Sequence, residues 1–100
     1  MEHFNKLTPA EAERLALLAE ECGEVIQAIG KILRHGYESY HPNDVLKTSN
    51  RRLLERELGD IQAAYQLMHD AKDVSFENVE VRCAQKLLAV HQYLHHQEDV

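Results

Sequence analysis

The chain has no tryptophan and only six aromatic residues, four Tyr and two Phe, among its 100 positions. Any core it builds is therefore mostly aliphatic. Two prolines and four glycines leave long windows free of helix breakers, and they fall mainly at the ends of those windows or between apolar turns. An all-α fold follows. The only thiols are Cys22 and Cys83, with neither a CxxC partner nor the spacing of zinc ligands. Each falls on or beside the apolar side of its helix, so both are expected as free, buried cysteines. No apolar run reaches transmembrane length, and charged residues interrupt the first 14 positions, so no signal peptide opens the chain. A soluble, cytoplasmic protein with no membrane partner is expected. Basic residues are also in short supply, 11 Lys and Arg against 17 Asp and Glu, for a formal charge of −6. That balance argues against duplex nucleic acid as a partner. A Gly-rich phosphate loop, an internal repeat and a Ser/His/Asp arrangement are absent as well.

At 100 residues the chain is read as one domain spanning 1–100, short enough to bury only a modest share of its surface. Thr8-Pro9-Ala10-Glu11 is a helix start, in which Thr8 caps, Pro9 suits the first helical position and Glu11 completes a capping box. This first helix is expected to run to about Arg34 and stop at Gly36, with Arg34 and His35 suiting the negative end of its dipole. A second helix is expected from near Thr48–Asn50 to no later than Lys72. A third, capped by Ser75, is expected from Phe76 to about Leu94, with Phe76, Val79, Cys83, Leu87, Val90 and Leu94 as its apolar stripe. Three helices with broad apolar faces suggest a bundle completed to a four-helix core by oligomerisation.

The acidic residues carry the chemistry. Successive helical positions turn about 100° around the axis. On the first helix that rotation puts Glu21 inside the apolar sector, between Ala28 and Ile32, with Glu24 on its border and Glu20 just outside. On the second, Glu57 falls at the middle of the apolar sector, and Asp60 lies between Leu67 and Leu53. Buried carboxylates cost several kcal/mol each unless their charge is compensated. Two compensations are open: Lys or Arg paired across the bundle, or a divalent cation. Hard cations such as Mg²⁺ take oxygen ligands and are commonly completed by substrate phosphates. A ferritin-like di-iron site is disfavoured, because neither acidic helix carries a Glu-x-x-His pair.

The pattern Glu20-Glu21-x-x-Glu24 followed by Glu57-x-x-Asp60 resembles the EExxE…ExxD signature of the MazG-like family, within the all-α nucleoside triphosphate pyrophosphatases. The similarity runs through Ala19–Gly36 and Glu55–Met68, and more faintly into the third helix. What the resemblance implies is a Mg²⁺-dependent hydrolase, with Mn²⁺ as substitute, that converts a nucleoside triphosphate to the monophosphate and pyrophosphate in the control or cleaning of the nucleotide pool. It implies Glu21, Glu24, Glu57 and Asp60 as metal ligands and Glu20 with Glu21 as the catalytic pair, Glu20 orienting or deprotonating water. Lys31 and Lys86 are implied at the phosphates, and a homodimer or dimer of dimers as the assembly. Where relatives often carry an asparagine one turn after the lysine of the third helix, this chain has Val90, so only Lys86 is carried over. The alternative class is a non-catalytic helical interaction module whose acids meet basic groups on a partner protein.

Other positions remain open at this level. Lys31 is either a phosphate ligand or a solvated lysine, and Lys86 either snorkels from its apolar stripe or reaches the acidic centre. Residues 25–56, 32 in all, separate Glu24 from Glu57, a long interval for the family. Its irregular part, His35–Ser49, holds Tyr37 and Tyr40, which either stack on a base or stand exposed. Arg51 and Arg52 open the second helix against its dipole, next to solvent or to an anion. Gly23 and Gly30 make a smooth line for another helix, and His91 and His95 are i, i+4 surface neighbours.

Overall fold

The computed structural model describes residues 4–97, and every regular element among them is helical. Helix α1 spans Pro9–His35, α2 spans Asn50–Asp70 and α3 spans Phe76–Ala89, followed by a single 3₁₀ turn at Val90–Tyr93. The outermost residues of the expected 1–100 domain, 1–3 and 98–100, lie outside the described residues. No described helix is long and apolar enough to cross a membrane.

Both ends of α1 are set by the residues expected to set them. The Thr8 hydroxyl accepts from the Glu11 backbone N–H at 3.1 Å, while the Glu11 carboxylate accepts from the Thr8 N–H at 2.8 Å. Two otherwise unsatisfied donors of the first turn are thereby used. At the other end Gly36 adopts φ 89° and donates its N–H to Ile32 at 2.7 Å. Only a residue without Cβ enters that region freely.

Helices α1 and α2 form an antiparallel hairpin. Arg14 near the start of α1 pairs with Asp73 just beyond the end of α2, and Gly36 after α1 meets Asn50 at the start of α2. Among the described residues the buried apolar side chains are Ala28, Ala64 and Met68. Two alanines on facing stripes let the backbones approach closely, which brings the acidic positions one and two turns away into reach of one another.

The loop between the two helices is ordered by its own polar groups. Asp44 accepts from the N–H groups of Leu46 and Thr48 at 3.0 and 2.9 Å, and His41 Nδ1 accepts from Asn43 at 3.1 Å. The first N–H groups of a helix have no partner within it. Here the Asn50 N–H donates to the Ser39 carbonyl and the Arg51 N–H to the Tyr37 carbonyl, each at 2.8 Å.

Helix α3 departs from expectation in two ways. Its α-helical part ends at Ala89, about a turn before Leu94, and narrows into the 3₁₀ turn. Val90, His91 and Tyr93 are weak helix formers, and no neighbouring helix offers them an apolar surface that would favour continuation. Its stripe is also uncovered within the single chain, with Phe76, Val79, Leu87 and Leu94 exposed. Cys22 and Cys83 are free as expected but exposed rather than buried. Cys83 lies on the uncovered stripe of α3. The hinge to α3 is held by an edge-on contact between the rings of His69 and Phe76, centroids 5.4 Å apart.

Candidate metal centre and its adjoining cavities

The hairpin brings the four stripe-facing acids together. One carboxylate oxygen from each of Glu21, Glu24, Glu57 and Asp60 lies within 4.8 Å of the others. Glu21, Glu24 and Glu57 are half-buried and Asp60 is exposed. One turn of α1 and one of α2 supply the group, so its geometry follows from i, i+3 spacing on two helices packed through alanines.

Within this cluster Glu21 Oε2 and Glu57 Oε2 are buried and accept no hydrogen bond. Among the described residues, no Lys or Arg forms a salt bridge with any of the four carboxylates. Compensation across the bundle by basic side chains is therefore not what the hairpin builds. The charge is felt in the acidities. Burial pushes the Glu21 carboxyl above its ordinary range, reinforced by repulsion from Glu24, Asp60, Glu20 and Glu57. A hydrogen bond shared with Glu24 raises Glu57, followed by burial and the charges of Glu24 and Asp60. Like charges this close favour a shared proton or a cation between them. A donor set of carboxylate oxygens alone, two of them orphaned, fits a hard divalent ion of the Mg²⁺ or Mn²⁺ kind.

Two cavities adjoin the cluster. The first, about 270 Å³, is lined by Glu24, Gln27, Ala28, Lys31, Asn50, Leu53 and Glu57. A second, about 320 Å³, lies under the loop and shares Lys31, Asn50 and Leu53 with it, adding among others Arg34, Tyr40 and His41. Lys31 lines both, at the junction between the two. Glu20 is exposed just outside the four-carboxylate group, close enough to raise the Glu21 carboxyl. Lys86 is not brought to the site: it lies exposed on α3 and lines neither cavity.

The two loop tyrosines have different surroundings. Tyr37 carries the Arg51 guanidinium 4.3 Å above its ring, and Arg51 also reaches Glu38 at 2.8 Å. The anion that offsets the unfavourable helix-start position of Arg51 is therefore internal. Tyr40 instead faces the larger cavity.

Asn50 was visible in the sequence only as a helix-start residue, yet among the described residues it is the one buried polar side chain, 7% exposed, and it lines both cavities. Its Nδ2 donates to the Gly36 carbonyl at 3.1 Å. The signal was the doubled capping pair Ser49-Asn50. Ser49 caps α2 by accepting from Arg52 N–H at 3.2 Å, which leaves Asn50 to fasten the loop. Gln27 and Arg34 lie on the same walls and show no signal beyond helical phase.

The family model described as MazG nucleotide pyrophosphohydrolase domain matches residues 10–95, a span that holds all four carboxylates, both cavities and α3. No protein with a curated description and no solved structure gives a significant match.

Proposed function

The chain belongs to the MazG nucleotide pyrophosphohydrolase family, and from that premise we propose that it hydrolyses a nucleoside triphosphate, ribo or deoxy, to the monophosphate and pyrophosphate with Mg²⁺ or Mn²⁺. The single observation that carries this reading is the convergence of Glu21, Glu24, Glu57 and Asp60 within 4.8 Å, with two buried oxygens lacking any partner. Such a cation supplies neutralisation of phosphate charge and a more acidic bound water. Glu21, Glu24, Glu57 and Asp60 are the residues that would hold it.

The chain's own groups divide the remaining work. Glu20, outside the ligand set and open to solvent, orients the attacking water and takes up its proton. Lys31, at the cavity junction, holds phosphate oxygens as a point charge. Lys86 joins the phosphates from a second copy of the chain, since within one copy it stands apart from the cluster. The wide exposure of Leu33 and Leu88, 82% each, supports association into a homodimer or dimer of dimers. So does a radius of gyration of 17.5 Å, against about 13 Å for a compact 100-residue domain. The whole chain acts as one domain, and its nucleotide substrates fit a cytoplasmic location.

The test is nucleotide consumption with Mg²⁺ by the wild type beside Glu24→Gln and Asp60→Asn. Both variants keep the shape of the site and remove like charge from it, so they should fold, with hydrolysis lost. Wild-type turnover in either would remove the metal assignment. An Mg²⁺-insensitive melting temperature in the wild type would favour the interaction-module reading instead.

A further inference from the structure

The loop cavity has no role in the reading above, although it shares wall residues with the cavity beside the carboxylates. Its volume of about 320 Å³ falls within the range of small-molecule pockets. Leu53, Pro42 and the planar Tyr40 ring give it apolar surface, and Ser39, His41 and Asn50 give it a few hydrogen-bonding groups. That composition suits a nucleobase and its sugar. The neighbouring cavity holds Glu24 and Glu57 and suits the metal-bound polyphosphate. Lys31, Asn50 and Leu53, common to both, set the two parts of one ligand end to end.

We propose that the cavity beneath the 36–49 loop is the nucleoside subsite, resting on the hydrolase reading, and that Tyr40 is the specificity-determining residue that stacks on the base. Tyr37 is committed to Arg51 on one ring face, whereas Tyr40 lines the cavity. The loop is fixed by Asn50 and Arg51, whose backbone N–H groups hold Ser39 and Tyr37, so Tyr40 is held over the cavity before a ligand arrives. Asn50 is a positioning residue: buried, bonded to Gly36, it fastens the loop to the wall that the two cavities share. A competing occupant is a phosphate group held by Lys31, Arg34, His35 and His41, all of which line the same space.

Titration calorimetry with Mg²⁺ separates these. The probes are the α,β-methylene analogues of ATP, GTP, CTP and UTP, which resist cleavage, and inorganic tripolyphosphate, which has no nucleoside. Tyr40→Ala should weaken the tightest analogue by about tenfold or more, a loss typical of base stacking, and leave tripolyphosphate within about twofold. Tyr40→Phe, which keeps the ring, should stay within about threefold of the wild type. An equal loss for both probes would assign the cavity to phosphate and overturn the proposal, as would no loss for either. If the wild type binds tripolyphosphate but none of the analogues, the nucleoside subsite falls alone. If it binds neither, the hydrolase reading falls and takes the subsite with it.

Discussion

Arg14 and Asp73, 59 positions apart in sequence, form a two-point ion pair, Nε to Oδ2 at 2.6 Å and Nη2 to Oδ1 at 3.0 Å. Both side chains are largely shielded, 23% and 13% exposed. The planar fork of Arg matches both carboxylate oxygens, and the pair locks the start of α1 to the turn that follows α2. That lock fixes the register in which the four acids meet.

The Arg14 hydrogen bond holds the Asp73 carboxyl below its ordinary value of 3.8. A depressed folded-state value means that the stabilisation is present above the unfolded value and is lost as pH falls through the folded one. Arg14→Met should therefore melt at a lower temperature than the wild type at pH 7, with the gap narrowing below about pH 3. Thermal melts by circular dichroism at both pH values measure it. An unchanged gap would show that the methylene packing of Arg14, not its charge, closes the hairpin.

The acidic cluster has the opposite sign. Glu21 and Glu57 are raised above their ordinary value of 4.5, so their contribution to stability is full below that value and is lost as pH rises through the folded one. Metal-free protein should thus be less stable at pH 8 than at pH 4.5 through these groups. Millimolar Mg²⁺ should raise the melting temperature more at pH 8, because the cation competes with protons for the same oxygens. Glu57→Gln should stabilise the metal-free protein at pH 8 and abolish the Mg²⁺ response. Equal Mg²⁺ shifts at the two pH values, or a full response in Glu57→Gln, would contradict the assignment.

Lys86 tests the assembly. It is exposed on α3 and apart from its own chain's cluster, yet it is proposed at the phosphates. Lys86→Met should lower kcat/KM by about a hundredfold, a loss expected when a placed charge-stabilising group is removed. Mixing Lys86→Met with Glu24→Gln subunits should restore part of the activity, since one mixed site then combines an intact cluster with an intact lysine. A kcat/KM within about threefold of wild type would leave Lys86 as a snorkelling surface residue.

The all-helical fold and the acidic cluster were legible in the sequence because each rests on local rules. Thr8, Glu11 and Gly36 act through neighbours within a few positions, and helical phase alone puts Glu21 and Glu24 on one side of α1 and Glu57 and Asp60 on the facing side of α2. Features that need a specific long-range neighbour were not legible. The exposure of Cys83 and the early end of α3 depend on what covers the third helix, and an apolar stripe has the same pattern whether its partner is in the same chain or another. Asn50 and Arg51 serve the loop through backbone carbonyls of Ser39 and Tyr37, and no side-chain pattern announces a carbonyl. The separate fates of Tyr37 and Tyr40 follow from those two bonds.

The most direct measurement is phosphorus NMR of a nucleoside triphosphate incubated with the wild-type protein and Mg²⁺. The account predicts matched growth of monophosphate and intact pyrophosphate signals, absent with Glu24→Gln. Diphosphate and orthophosphate as the main early products, or unchanged triphosphate across a panel of ribo- and deoxynucleotides, would contradict it.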